Sequence, residues 1–170
     1  MSHADRNGAL RIDPANGNVI IHQQYVVQPY EAVSGFLDSE LYRRYGFGKT
    51  TLHDLQLQGG NGHVLLKVPD IKGHDWVFIL DFRKMQLRSV VMNVVRKSLR
   101  EFAVMRENDF YLYRRILNDN CGEHRGFRNQ ELASSGKFPW GIVKVGSYPE
   151  GLVMKLIIRY KAREQSCANG

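Results

Sequence analysis

Near the C-terminus the apolar positions fall on every second residue. Leu152, Met154, Leu156, Ile158 and Tyr160 point one way, and Lys155, Arg159 and Lys161 point the other. A period of two predicts an antiparallel strand with one face on a core and the other in water. Residues 141–148 predict its partner strand. Tyr148-Pro149-Glu150-Gly151 supplies a tight turn between them, with proline at the second position and glycine at the last.

The middle of the chain repeats the pattern as a meander. Residues 50–57 alternate and are expected to form a strand, and Gly59-Gly60-Asn61-Gly62 turns the chain. Residues 63–68 follow, with Pro69 marking an edge or a strand end. After Lys72-Gly73-His74-Asp75, the residues Trp76, Phe78, Leu80 and Phe82 line one face and Val77 and Ile79 the other. Two apolar faces predict a central strand. Arg83-Lys84 then turns into a strand over residues 85–95.

At the N-terminal end, residues 10–13 and 19–27 flank Asn16-Gly17-Asn18, which predicts a hairpin. Pro29 suits a helix start, and residues 30–37 predict a short helix that Gly35 weakens by about 1 kcal/mol. A longer helix opens at Ser98-Leu99-Arg100-Glu101, a capping-box sequence. Leu99, Phe102, Met105, Phe110, Tyr113 and Leu117 recur along it, and Gly122 ends it. Asn108-Asp109 is a place where it could break into two pieces. Residues 123–139 show little periodicity and are expected as an irregular connection, a length that is usually functional or mobile. The fold class is α+β: a single domain over residues 10–161, with an antiparallel β-sheet made of the meander and the N- and C-terminal hairpins. One longer and one shorter helix cover one face. Residues 1–9 and 162–170 are expected as flexible ends.

Composition narrows the class further. The chain has 170 residues, 43% hydrophobic and 24% charged, which excludes a disordered, collagen-like or disulfide-stapled protein. No apolar run follows the N-terminus and none reaches the length of a membrane span, so a cytoplasmic location with no membrane partner is expected. Cys121 and Cys167 are expected to be reduced there. The net charge of +7 suits an anionic partner without demanding one.

Tests for cofactor and catalytic chemistry return little. Gly46-Phe47-Gly48-Lys49-Thr50-Thr51 resembles the end of a phosphate-binding loop, but Arg43 stands where the first glycine is required. Gly59-Gly60-Asn61-Gly62 lacks the strand–turn–helix setting of a dinucleotide site. Cys121 and His124 offer two metal ligands where structural zinc needs four. The same pair sits at a helix C-terminus, where a thiolate gains nothing. Asp54, Asp70, Asp75 and Asp81 are ordinary turn and strand-end acids. No catalytic residue, metal site or cofactor is therefore expected.

Charge offers one lead and aromatic residues another. Arg83, Lys84, Arg88, Arg96, Lys97 and Arg100 occupy a stretch without acids, and Arg106, Arg114 and Arg115 extend it. With Tyr111 and Tyr113 nearby, such a stripe could bind nucleic acid. Glu101, Glu107 and Asp109 interrupt it, which favours a solvated face. Trp140 stands at the opening of the last hairpin, where a large aromatic can anchor an interface or pack in the core.

Phe138-Pro139-Trp140-Gly141-Ile142, then Ser147-Tyr148-Pro149, then Ile157-Ile158-Arg159-Tyr160 resembles the C-terminal end of small uncharacterised bacterial proteins. Those have a Trp-Gly pair, a Ser-x-Tyr-Asp-Pro turn and a final aliphatic-Arg-Tyr strand, and some are associated with toxin-immunity loci. The likeness spans residues 138–160 alone, and this chain lacks the aspartate of the turn. It implies a non-enzymatic protein-binding module, an immunity-type inhibitor that occludes a toxin with its sheet face or with residues 123–140. Phe127, Trp140, Tyr148 and Arg159 are the expected contacts, and the basic charge fits an acidic partner. A nucleic-acid-binding module using residues 83–115 is the alternative, and a small enzyme without a recognisable motif is the second alternative.

Overall fold

The computed structural model describes residues 8–48, 50–122, 128–130, 132–147, 151 and 153–162, with 128–130 described by their backbone alone. The architecture is α+β and antiparallel throughout. A small sheet joins β1 (Leu10–Ile12), β2 (Val19–Ile21) and β3 (Tyr25–Val27) in that order. Two short helices follow, α1 (Val33–Leu37) and α2 (Glu40–Tyr45). A two-residue edge strand, β4 (Gly46–Phe47), then leads to α3 (Leu52–Leu57). The long strands β5 (Gly62–Ile71), β6 (His74–Arg83) and β7 (Gln86–Val94) precede α4 (Leu99–Val104) and α5 (Arg106–Cys121). The chain ends in β8 (Arg128–Gln130), β9 (Ala133–Phe138), β10 (Gly141–Gly146) and β11 (Lys155–Tyr160).

Eight of these strands form one sheet in the order β4-β5-β6-β7-β11-β10-β9-β8. It consists of two four-stranded meanders whose last strands, β7 and β11, pair along the seam: Leu156 lies opposite Met92, Ile158 opposite Val90, and Arg159 opposite Ser89. Local chemistry sets the tight turns. Lys72 and Gly73, at φ 53° and 79°, and Lys84 and Met85, at φ 49° and 68°, both supply the paired left-handed residues of a two-residue hairpin. Pro69, which cannot donate to the ladder, coincides with a register shift between Val68 and Ile71.

One face of this sheet is the core. Val64, Leu80, Val90, Ile158 and Val143 are cross-strand neighbours in one row, all at most 1% exposed, and Leu66, Phe78, Met92, Leu156 and Val145 form the next. Helices α1, α2, α3 and α5 and the small sheet pack against this side. Phe36 of α1 lies 5.7 Å from the ring of Phe82. Tyr113 of α5 packs 5.2 Å from Trp76, and its hydroxyl accepts the Val94 N–H at 2.8 Å. The β1–β2 hairpin is held by Tyr160, whose hydroxyl donates to Gly17 O at 2.9 Å, and by Asn120, whose Oδ1 accepts the Ile12 N–H.

Several elements differ from the sequence expectation. Residues 50–57, expected as a strand, contain helix α3. Leu52, Leu55 and Leu57 suit either period, but Thr51 Oγ1 accepts the Asp54 N–H while the Asp54 carboxylate accepts the Thr51 N–H, and that capping box decides for helix. The expected single strand over residues 19–27 divides at His22 and Gln23, both with positive φ. Helix α2 is capped by Ser39, a signal the hydrophobic pattern does not carry. The long helix breaks at Met105 rather than at Asn108-Asp109. Residues 123–139, expected as irregular, include β8 and β9. Ala-Ser-Ser-Gly has poor intrinsic strand preference, and β9 forms because β10 offers it a complete ladder. Among the described residues, five helices are present where two were expected.

Candidate partner-binding face

The second face of the eight-stranded sheet is built from the residues between the core positions. Cross-strand register places Phe47, Leu65, Ile79, Val91 and Ile157 side by side on β4, β5, β6, β7 and β11. With strands about 4.8 Å apart, this apolar stripe runs roughly 19 Å across the sheet. Phe47 is 56% exposed, the aliphatic residues at the middle are half-buried by their neighbours, and Ile157 is 6% exposed. Val77 continues the apolar surface one row away, between Lys67 and Asn93.

Beyond Ile157 the same face becomes cationic. Lys155 and Arg159 flank Ile157 along β11, Lys144 lies opposite Ile157 on β10, and Lys137 on β9 is separated from Arg159 by Ile142. Strands β9, β10 and β11 contain no acidic residue. Asp81, on β6, is paired with His63 at 3.0 Å and with Arg83 at 3.2 Å. The face therefore has an apolar stripe across β4 to β7, flanked by rows that hold Lys67, Asp75 and Asp81, and a cationic patch on β9 to β11.

Of the expected partner contacts, Phe127 and Tyr148 lie outside the described residues. Arg159 stands exposed on the open face. Trp140 turns the other way: its ring stacks on Phe138 at 4.9 Å, its Nε1 donates to Pro14 O at 2.9 Å, and it lies against Gly17 of the β1–β2 hairpin. The structure does not bring Trp140 and Arg159 together.

The basic stretch is also divided. Arg83, Lys84 and Arg88 lie at one end of β7, with the Arg88 guanidinium 5.5 Å above the Tyr30 ring. Arg96, Lys97 and Arg100 lie beyond the other end, and nine residues of strand put about 27 Å between the groups. Arg96 is withdrawn from solvent and bonded to Asp109. The cations that do converge, Lys137, Lys144, Lys155 and Arg159, come from three strands. Lys137 and Lys144 were missed by sequence reasoning; their one signal is their place at alternate positions of strands.

Elsewhere the chemistry is quiet. Cys121 is a free thiol whose pKa burial pushes up to about 11, with Asp13 adding to the effect. Among the described residues, no three of His, Cys, Asp and Glu converge as metal ligands, and no helix is long and apolar enough to cross a membrane.

These features define an antiparallel α+β protein with one face of its main sheet covered and the other bearing an apolar stripe beside a cationic patch. No family model and no curated protein matches the chain. Among solved structures, it is similar to a chain of the structure titled "Rhs1-CT in complex with cognate immunity protein RhsI1", with 12% identity and a TM-score of 0.53 over 92% of this chain and 90% of that one. At that identity the likeness is one of fold, and it extends over nearly the whole of both chains.

Proposed function

We propose that this chain is a protein-binding module of the immunity type, which blocks a toxin by covering its active surface. The observation that carries the reading is the apolar stripe Phe47–Leu65–Ile79–Val91–Ile157 on the open face of the sheet. A continuous apolar strip rimmed by polar groups is the usual centre of a protein interface. The shared fold with a chain from a toxin–immunity complex supports the same reading. So does the C-terminal hairpin, where the resemblance to proteins of toxin-immunity loci lies.

Inhibition of this kind needs no catalytic group on the inhibitor. It needs a rigid surface whose ordering cost is met before binding, and an eight-stranded sheet over a packed core is rigid in that sense. The test is coexpression. Each product of the two genes flanking that of this chain is expressed alone and then with it. One product is expected to arrest growth alone, to be tolerated with this chain, and to copurify with it. If neither product is toxic and neither copurifies, the immunity reading fails.

A further inference from the structure

We infer that the occupant of the open face is an acidic protein surface, with an apolar centre seated over β5, β6 and β7 and carboxylates over β9, β10 and β11. This rests on the protein-binding reading above and goes beyond it by naming the chemistry of the partner. Lys137 on β9 and Lys155 and Arg159 on β11 stand within about 10 Å across the strands and about 14 Å along them, on strands whose sequences carry no acid. They border Ile157, where the apolar stripe ends, so one partner surface meets both halves at once.

Two other occupants fit less well. A nucleic acid would satisfy the cations but would set its phosphates and sugars against Leu65, Ile79 and Val91, and the one aromatic of the stripe, Phe47, lies on the edge strand farthest from the cations. A second copy of this chain, related by a two-fold axis, would bring like charges together on any arrangement that overlays the cationic halves.

The test compares the wild-type chain with Lys137→Glu/Arg159→Glu. Both residues are exposed, and both lie beside Ile142 on the open face. Probes are the two flanking-gene products, a single-stranded oligonucleotide and a duplex, measured by surface plasmon resonance at low and high salt. A thermal melt confirms that the variant is folded. The expected result is that one protein product binds, that the variant binds it at least about tenfold more weakly, chiefly through a slower on-rate, and that salt weakens the wild-type complex. If that product binds wild type and variant equally, the acidic-surface inference is overturned while the protein-binding reading stands. If neither product binds, both fall. Tighter binding of either oligonucleotide than of the proteins assigns the face to nucleic acid and overturns the inference. A wild-type dimer in sedimentation that the variant dissociates assigns it to a second copy, with the same consequence.

Discussion

Arg96 gives the sharpest prediction, because its residue type suggests a ligand-binding cation and its surroundings make it a structural one. It follows β7 with its side chain 9% exposed, and Asp109 on α5 is 1% exposed. The guanidinium Nη2 donates to Asp109 Oδ1 at 2.5 Å, and Nη1 lies 3.8 Å from Glu101 Oε1. Its Nε has no partner among the described residues, so the two carboxylates are what compensates the charge. Asp109→Ala leaves the guanidinium facing Glu101 alone. Removing one member of a buried pair costs about 3–5 kcal/mol, and the surviving Glu101 contact points to the lower end, about 3 kcal/mol. In a protein of this size each kcal/mol moves Tm by about 2–4 °C, so Asp109→Ala should melt about 6–12 °C below wild type. Arg96→Met/Asp109→Leu removes both charges at similar volume and should stay within about 1 kcal/mol of wild type. Thermal and urea unfolding followed by circular dichroism, on wild type, Arg96→Met, Asp109→Leu and the double variant, gives the coupling energy directly, with Asp109→Ala measured alongside. An Asp109→Ala melt within about 2 °C of wild type, or a double variant as unstable as the single one, would refute the reasoning.

Burial raises the Glu31 carboxyl from 4.5 to about 6. Its folded pKa lies above its unfolded one, so stability falls as pH rises from about 4.5 to about 6 and stays lower above that window. With its partial exposure discounted, the penalty is about 1 kcal/mol, and Glu31→Gln should melt about 2–4 °C above wild type near pH 7.5 and level with it near pH 4; a difference independent of pH would count against this. Trp140→Ala should cost about 2 kcal/mol and speed hydrogen exchange at the Asp13 and Gly17 amides, whereas Trp140→Phe keeps the ring stack and loses about 1 kcal/mol with the bond to Pro14. Equal exchange rates in all three proteins would show that Trp140 does not clamp the hairpin. Thr51→Ala removes the cap of α3 and should cost about 1 kcal/mol in urea unfolding, with no loss if residues 50–57 behaved as a strand.

The long hairpins were legible because their evidence is local. Trp76, Phe78, Leu80 and Phe82 alternate without interruption, and Lys72-Gly73 marks the turn before them, so β6 and its neighbours follow from residues close in sequence. Residues 50–57 misled for the same reason. Three leucines at positions 52, 55 and 57 fit both periods, and the deciding signal was the capping pair Thr51 and Asp54 rather than the apolar pattern. Strand β9 left no trace in its composition because its stability comes from pairing with β10. Trp140 was recognised as a large aromatic at a loop, but its engagement with Pro14 joins residues 126 positions apart.

The candidate site divides along the same line. Alternation in the sequence determined that Lys155 and Arg159 leave the core face of their strand, and with them Ile157 between. It determined the antiparallel α+β class, because periods of two and short turns are properties of neighbouring residues. What only the tertiary structure decided is which other residues stand beside those three. The pairing of β11 with β7 on one side and β10 on the other brings Val91, Ile79 and Leu65 into line with Ile157 and gathers Lys144 and Lys137 around it. Backbone hydrogen bonds are alike whichever strands pair, so local periodicity carries no strand order. That order is set by which arrangement closes the core, and the surface on the far side follows from it.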